Sequence, residues 1–337
     1  TVIPGPTAAN DTSSGPMNTA QTMTLVTNNS AATGATPLNI ASVKLCDPNP
    51  TAEVAPNCTK TSVTVPNVGT YSVDSSGVMT FTPVTGYSGT PAPLSYTVED
   101  NFDVKATATY TPTVIPPPTV VPDTSTGPWD TNQTRDVVSN NVNTGDSAAI
   151  GTSLEDGSIR LCAPSDTAPN CTVDAAGEVV IANQGTYRLN PSTNIIIFDP
   201  LPTFTGTATA VTYSVTDALG QKSSTTYTPT VIPAPVAIND TSTNGQDKNQ
   251  LIDVLNNDTV PTNPAGDPLN PASVKLCGTN PAQTSPNCTL TTLTTADGTY
   301  TVNPTTGVVT FDPEPNFTGT ATKINYQVSD TGTGANK

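Results

Sequence analysis

The stretch Gly298-Thr299-Tyr300-Thr301-Val302-Asn303-Pro304-Thr305-Thr306-Gly307-Val308-Val309-Thr310-Phe311 reads as a β-hairpin. Tyr300 and Val302 fall on one face by the two-residue period of a strand, and Val309 and Phe311 share a face across the turn. Gly307 supplies the positive φ that closes such a loop. Its counterparts are Gly77 in Asp74-Ser75-Ser76-Gly77 and Asn194 in Asn190-Pro191-Ser192-Thr193-Asn194. Asparagine is the next most tolerant residue for that backbone region, so all three copies have the chemistry of the same turn.

Outward from the hairpin, Leu251 to Leu255, Ala272 to Leu276, Cys288 to Leu293, Thr299 to Val302, Val308 to Phe311 and Ile324 to Val328 read as short strands between turn-rich segments. Roughly seven strands per ~110 residues is the spacing of an immunoglobulin-like sandwich. Thr1-Val2-Ile3-Pro4 recurs as Thr113-Val114-Ile115-Pro116 and Thr230-Val231-Ile232-Pro233. A period that long means whole domains in tandem rather than a solenoid of small units. The expected fold is all-β: three immunoglobulin-like β-sandwich repeats, 1–112, 113–229 and 230–337, in an extended rod.

Pro112 to Pro118 and Pro229 to Pro235 read as semi-rigid spacers, because fixed φ and the restriction before proline keep such segments extended. Sandwiches of roughly 30–40 Å each would make a rod on the order of 100 Å. Repeats 1 and 2 close with Ala106 to Pro112 and Ser224 to Pro229, whereas repeat 3 reaches Lys337 without an equivalent. We therefore expect a mature or excised segment whose last repeat lacks an edge strand. Such a repeat exposes unpaired backbone and part of its core, so the next Thr-Tyr-Thr-Pro-like segment is expected to stabilise it; a strand from another chain would be donor-strand pairing.

Abundant Thr, Pro, Asn and Ser with scarce Leu, Lys and Glu opposes helix. The net charge of −16 is spread evenly: three basic against seven acidic residues over 1–112, four against eleven over 113–229, and four against nine over 230–337. Nucleic acid and anionic membranes are poor partners for such a surface. No apolar run approaches the ~20 residues that span a bilayer.

The chain has no histidine. That removes Ser-His-Asp and Cys-His nucleophile systems, the commonest general acid/base and the usual zinc ligand. No phosphate-cradling glycine loop occurs, and a single Trp among few aromatics offers little to line a cleft around paired carboxylates. The chain is not expected to be an enzyme. Its six cysteines fall two per repeat: Cys46 and Cys58, Cys162 and Cys171, Cys277 and Cys288. Even number and equivalent placement favour a disulfide within each repeat, since two sulfurs without His make an incomplete zinc shell. Asn57, Asn170 and Asn287, each before the second cysteine, match the glycosylation sequon, as do Asn10, Asn132, Asn239, Asn257 and Asn316.

Asn239-Asp240-Thr241, Asp253 to Asp258, Asp267-Pro268-Leu269, Pro271 to Leu276, Gly298 to Val302 and Pro315 to Thr320, with their counterparts in all three repeats, resemble the CshA-type fibril repeats of bacterial surface adhesins. The resemblance implies a secreted polypeptide at the bacterial cell surface, whose repeats form a structural stalk or fibre. It also implies that a host or surface ligand is bound by a region outside this segment. Partners would be further repeats of the same chain and identical chains, laterally or end to end. The cysteine pairs depart from the usual pattern. Lys44 and Lys275 invite comparison with the Lys-Asn isopeptide bonds of some wall-anchored stalks, but Arg160 stands in the equivalent place and has no amine nucleophile to offer. Val-Lys/Arg-Leu is then strand alternation with a solvated charge.

Two other functions compete: a ligand- or glycan-binding module, for which Trp129 and Phe102 are the sparse aromatic candidates, and a self-polymerising filament subunit. Carboxylates pair by position at the expected start of each repeat, Asp11 with Asp100, Asp123 with Asp217 and Asp240 with Asp330. If they converged, calcium would be the cofactor, its shell completed by turn carbonyls, Asn10 or Asn239, Glu99 and water. The alternative is that each aspartate caps a turn. The turn role is favoured because Pro122 replaces the neighbouring Asn in repeat 2 and no dense acidic run exists; no cofactor is otherwise expected.

Overall fold

The computed structural model describes residues 2, 4–31, 37–49, 52–138, 145–155, 157–190, 193–262, 264, 266–278, 285 and 287–332. It contains two compact units: Thr1–Val120 with Asp146–Ser158 and Ser214–Ser224, and Val121–Gly145 with Ile159–Tyr213 and Thr225–Lys337.

Repeat 1, in the first unit, has eight strands: β1 (Asp11–Pro16), β2 (Gln21–Thr24), β3 (Leu38–Leu45), β4 (Ser62–Val65), β5 (Gly69–Val73), β6 (Val78–Pro83), β7 (Leu94–Asp100) and β8 (Lys105–Ile115). They form two four-stranded sheets, ordered β1-β8-β7-β3 and β2-β6-β5-β4. Alternation works as expected: Tyr71, Val73, Met79 and Phe81 point into the core from one sheet, and Leu45, Tyr96, Val98, Tyr110 and Val114 from the other. Tyr71 lies directly opposite Phe81, with ring centroids 4.6 Å apart, and the edge of the Tyr110 ring closes on Tyr71 at 6.2 Å. Such tilted and edge-on contacts favour the ring quadrupoles beyond simple burial.

Repeat 2 comprises β9 (Asp123–Pro128), β10 (Gln133–Asp136), β11 (Arg160–Leu161), β12 (Glu178–Ile181), β13 (Gly185–Asn190), β14 (Ile195–Pro200), β15 (Gly206–Thr207), β16 (Val211–Thr216) and β17 (Lys222–Ile232). One sheet runs β10-β14-β13-β12, the other β11-β16-β17-β15 with β9 on β17. The same three rings recur as Tyr187, Phe198 and Tyr227.

Repeat 3 has β18 (Gln250–Ile252), β19 (Lys275–Leu276), β20 (Thr292–Thr295), β21 (Gly298–Val302), β22 (Val309–Pro313) and β23 (Tyr326–Gln327). Its hairpin sheet is ordered β18-β22-β21-β20, and among the described residues the facing sheet is β19 against β23. Ala272 and Ser273, expected in a strand, belong to a 3-10 turn over Pro271–Ser273 instead. Pro271 opens it, and the Asn270 side chain caps it by accepting from Ala272 N.

The hairpin turns are as read: φ is 73° at Gly77, 53° at Asn194 and 74° at Gly307, while Pro191 and Ser192 lie outside the described residues. Gly69 at the head of β5 has a separate reason, since a Cβ there would stand 2.5 Å from the Thr82 carbonyl and 2.6 Å from the Phe81 ring.

The closing strands run into the segments expected to be spacers. β8 passes residue 112 and runs to Ile115, and β17 passes 229 and runs to Ile232. Val114 and Val231 are buried, so the Thr-Val-Ile segments are strand rather than spacer. β1 pairs parallel with this tail, Asp11 opposite Tyr110 and Pro16 opposite Ile115, and β9 pairs with β17 in the same way. The prolines are tolerated because each sits on a strand next to a short parallel partner, where one ladder donor is dispensable.

Candidate functional site

The three disulfides are present as paired in the sequence reading: Cys46–Cys58, Cys162–Cys171 and Cys277–Cys288. An unforeseen carboxylate braces the first two. Glu53 accepts the amides of Asp47 and Thr59, the residues that follow the two cysteines, and the Thr59 hydroxyl at 2.5 Å. Asp166 does the same for Ala163 and Thr172. These bonds hold both carboxyls below their usual range, led for Glu53 by the Thr59 hydroxyl and for Asp166 by the Ala163 amide. Thr59 and Thr172, the threonines of the first two Asn-Cys-Thr triplets, thus have a structural task, which the sequon match gave no reason to suspect.

Asp11 and Asp100 of repeat 1 lie apart along the sheet. In repeat 1, Asp11 lies opposite Tyr110, while Glu99, next to Asp100, lies opposite Lys105, five residues further along β8. At ~3.3 Å per residue that separation is on the order of 17 Å. Asp11 Oδ2 accepts the Tyr96 hydroxyl at 2.8 Å and Oδ1 the Asn28 amide at 2.9 Å, and burial pushes its carboxyl up against those bonds. Asp100 accepts the amides of Phe102 and Val104, closing the β7–β8 turn. Asp123 takes the Tyr213 hydroxyl at 2.7 Å and Arg135 Nε at 3.0 Å. Asp217 accepts from Leu219 and Gln221, and Asp330 from Gly332, which is the turn-capping role. Asp240 has its carboxyl raised, chiefly by burial. Asn10, proposed to help bind an ion, accepts from Thr109 N instead, and Glu99 pairs with Lys105 at 3.4 Å. Among the described residues, no group of three or more His, Cys, Asp or Glu is placed to hold a metal ion.

A second device was also missed. Ser13 donates to Gln21 Oε1 at 2.5 Å and bonds the Tyr110 hydroxyl at 2.6 Å, while Gln21 Nε2 donates to the Thr113 carbonyl at 3.0 Å. Repeat 2 repeats it with Ser125, Gln133, Tyr227 and the Thr230 carbonyl. One Ser-Gln pair thus clamps β1 or β9 to the tail of β8 or β17, across the two sheets. In repeat 3 Ser242 donates to Gln250 in the same way. The signal in the sequence is a Ser and a Gln eight residues apart in every repeat.

The first unit contains the junction where repeat 1 ends. Gln221, in the β16–β17 turn, accepts from Met17 N at 3.0 Å and donates to the Ile115 and Pro116 carbonyls, both at 3.2 Å. Ser223 donates to the Pro118 carbonyl at 2.6 Å, and Thr119 and Ser147 exchange backbone bonds.

Val43 and Leu45, Ile159 and Leu161, and Val274 and Leu276 are buried on either side of half-exposed Lys44, Arg160 and Lys275, as strand alternation requires. The Trp129 indole donates to the Pro202 carbonyl at 2.8 Å with the ring 39 % exposed, and Phe102 is 56 % exposed.

No curated protein matches the sequence. Among solved structures, the titin I-band fragment I67-I69 is 8 % identical over 94 % of this chain and 90 % of that one, with a TM-score of 0.30. Sidekick-1 immunoglobulin domains 1-5 are 11 % identical over 94 % and 54 %, TM-score 0.33. Drosophila N-cadherin EC1-4 is 8 % identical over 92 % and 66 %, TM-score 0.29. No described helix is long and apolar enough to cross a membrane. The profile of the surface adhesin CshA repetitive domain matches residues 4–114, 117–231 and 233–336, three copies that between them take in nearly every residue described above, and the chain therefore belongs to that family of surface adhesin repeats.

Proposed function

We propose that this chain is a non-enzymatic structural stalk from a secreted bacterial cell-surface fibrillar adhesin, its repeats stiffened by one disulfide each. The observation that carries the reading is the threefold tandem match to an adhesin repetitive domain. The Gln221 contacts support it, because this side chain ties the Met17 amide to the Ile115 and Pro116 carbonyls where repeat 1 closes. The disulfides support it too, since cross-links of this kind persist in oxidising, extracellular settings. Within this reading Asp11, Asp100, Asp123, Asp217 and Asp330 are hydrogen-bond acceptors of the fold, and the ligand of the adhesin is bound elsewhere.

Small-angle scattering and electron microscopy of the intact chain test the proposal. We expect an elongated particle on the order of 100 Å, unchanged by millimolar calcium. A compact particle, or saturable capture of a host protein or glycan by this chain on an array, would overturn it.

A further inference from the structure

We propose that anionic thiols discriminate among the three bridges in favour of Cys277–Cys288, because a carboxylate guards the disulfide loops of repeats 1 and 2 and the loop of repeat 3 carries none. The inference goes beyond the stalk reading: it assigns a site of thiol modification and the charge class of its reagent.

In the first two loops the guard is tied to both ends of the bridge. Glu53 accepts the amides that follow Cys46 and Cys58, and Asp166 those that follow Cys162 and Cys171. The same bonds hold both carboxyls below their usual range, so they are ionised wherever a thiolate exists. Each lies five residues before the second cysteine of its repeat. At that place repeat 3 has Gln283, which is outside the described residues, and no acidic residue occurs between Cys277 and Cys288. There the Cys288 amide donates to the neutral side chain of Gln327, at 3.1 Å. Basic residues do not make the contrast, since Lys44, Arg160 and Lys275 each stand two residues before the first cysteine. Lys60, which acts on Glu53, is matched by Asp47 in the same loop.

In the exchange, a thiolate attacks one sulfur of the bridge, the S–S bond breaks, and the other sulfur leaves as a thiolate that takes a proton from water. A second thiolate then attacks the mixed disulfide at the reagent's sulfur and releases the remaining cysteine. Two reagent thiols are thereby oxidised to one disulfide while one bridge is reduced. The attacking sulfur is always an anion, so a fixed negative charge beside the bridge opposes its approach, and a further charge on the reagent opposes it more. Access alone gives a different order. Cys162 is half-buried, whereas the other cysteines are 3–7 % exposed. Openness would put repeat 2 first for every reagent, and only charge makes the order depend on the reagent.

Native-state reduction of the intact chain tests this, with cysteamine, 2-mercaptoethanol and 2-mercaptoethanesulfonate at equal thiolate concentration. Their thiolates carry net charges of zero, minus one and minus two. Alkylation of the freed cysteines and peptide mapping give the rate at each bridge. At low ionic strength the ratio of the cysteamine rate to the mercaptoethanesulfonate rate should be about fivefold higher at Cys46–Cys58 and Cys162–Cys171 than at Cys277–Cys288, and added salt should shrink that difference. Glu53→Gln and Asp166→Asn should bring their ratios down to that of repeat 3, and Gln283→Glu should raise the ratio there by a similar factor. A substitution that merely loosens its loop speeds all three reagents alike, so an unchanged ratio in these variants counts against the guard. Equal ratios at the three bridges of the unsubstituted chain overturn the inference. A compact particle in scattering would defeat the stalk reading and leave these ratios untouched, so the two fail separately.

Discussion

Repeats 1 and 3 share the same hairpin, the same Tyr-Phe pair and the same Ser-Gln bond, yet they differ in how much of the sandwich these parts hold together. In repeat 1 fifteen described residues form a buried apolar cluster that draws on both sheets; in repeat 3 the corresponding cluster has eight. The hairpin sheet is alike in both because its pairs are made between near neighbours in the chain, Tyr71 with Phe81 and Tyr300 with Phe311. The facing sheet differs because it depends on a long central strand. β8 lies between β1 and β7 in repeat 1, and no described strand takes its place in repeat 3. The two halves of this sandwich therefore have separable origins, one local and one distant.

Replacing the central tyrosine should break the comparison most sharply. Tyr110→Ala removes a fully buried ring together with its bond to Ser13, and is expected to cost about 3–5 kcal/mol. Repeat 1 should then come to resemble repeat 3, with amides of residues 11–16 losing hydrogen-exchange protection while those of β5 and β6 keep theirs. Uniform loss across both sheets would show that the halves are not separable.

A smaller effect separates the clamps. Gln21→Ala removes an acceptor of the Ser13 hydroxyl and the donor to the Thr113 carbonyl from a buried position, costing about 1–3 kcal/mol. Gln250→Ala meets only half-exposed surroundings and should stay within roughly 0.5 kcal/mol. Chemical denaturation of both variants, read by hydrogen exchange in each repeat, checks the contrast. Equal losses would mean that the clamp acts without its strand.

The smallest effect concerns the disulfide loops, which do not depend on the distant strand. Glu53 and Asp166 have lowered carboxyl values in the folded chain, so their bonds contribute above the unfolded value and are lost as pH falls through the folded one. The amide shifts of Thr59 and Thr172 should titrate with midpoints below the ordinary carboxylate values of about 4.3 and 3.9. Midpoints at or above those values would remove the carboxylate brace from the account. Tyr110→Ala should leave both midpoints in place.

Much of the architecture was legible in the residues. Strand alternation placed Tyr300, Val302, Val309 and Phe311 in the core, turn chemistry located Gly77, Asn194 and Gly307, and cysteine placement identified the three bridges. Each of these rests on period, φ preference or proximity within about a dozen residues, which a linear text records. Where β1 lies along β8 was not legible. Parallel pairing joins segments a hundred residues apart and leaves no turn between them to announce it. From that register follow the run of β8 to Ile115, the separation of Asp11 from Asp100, and the meeting of Ser13 and Tyr110. Sequence thus determined the repeat, its hairpin and its covalent links. Tertiary structure alone decided which distant strand completes the second sheet, because that choice depends on a core and a clamp that exist only once both sheets face each other.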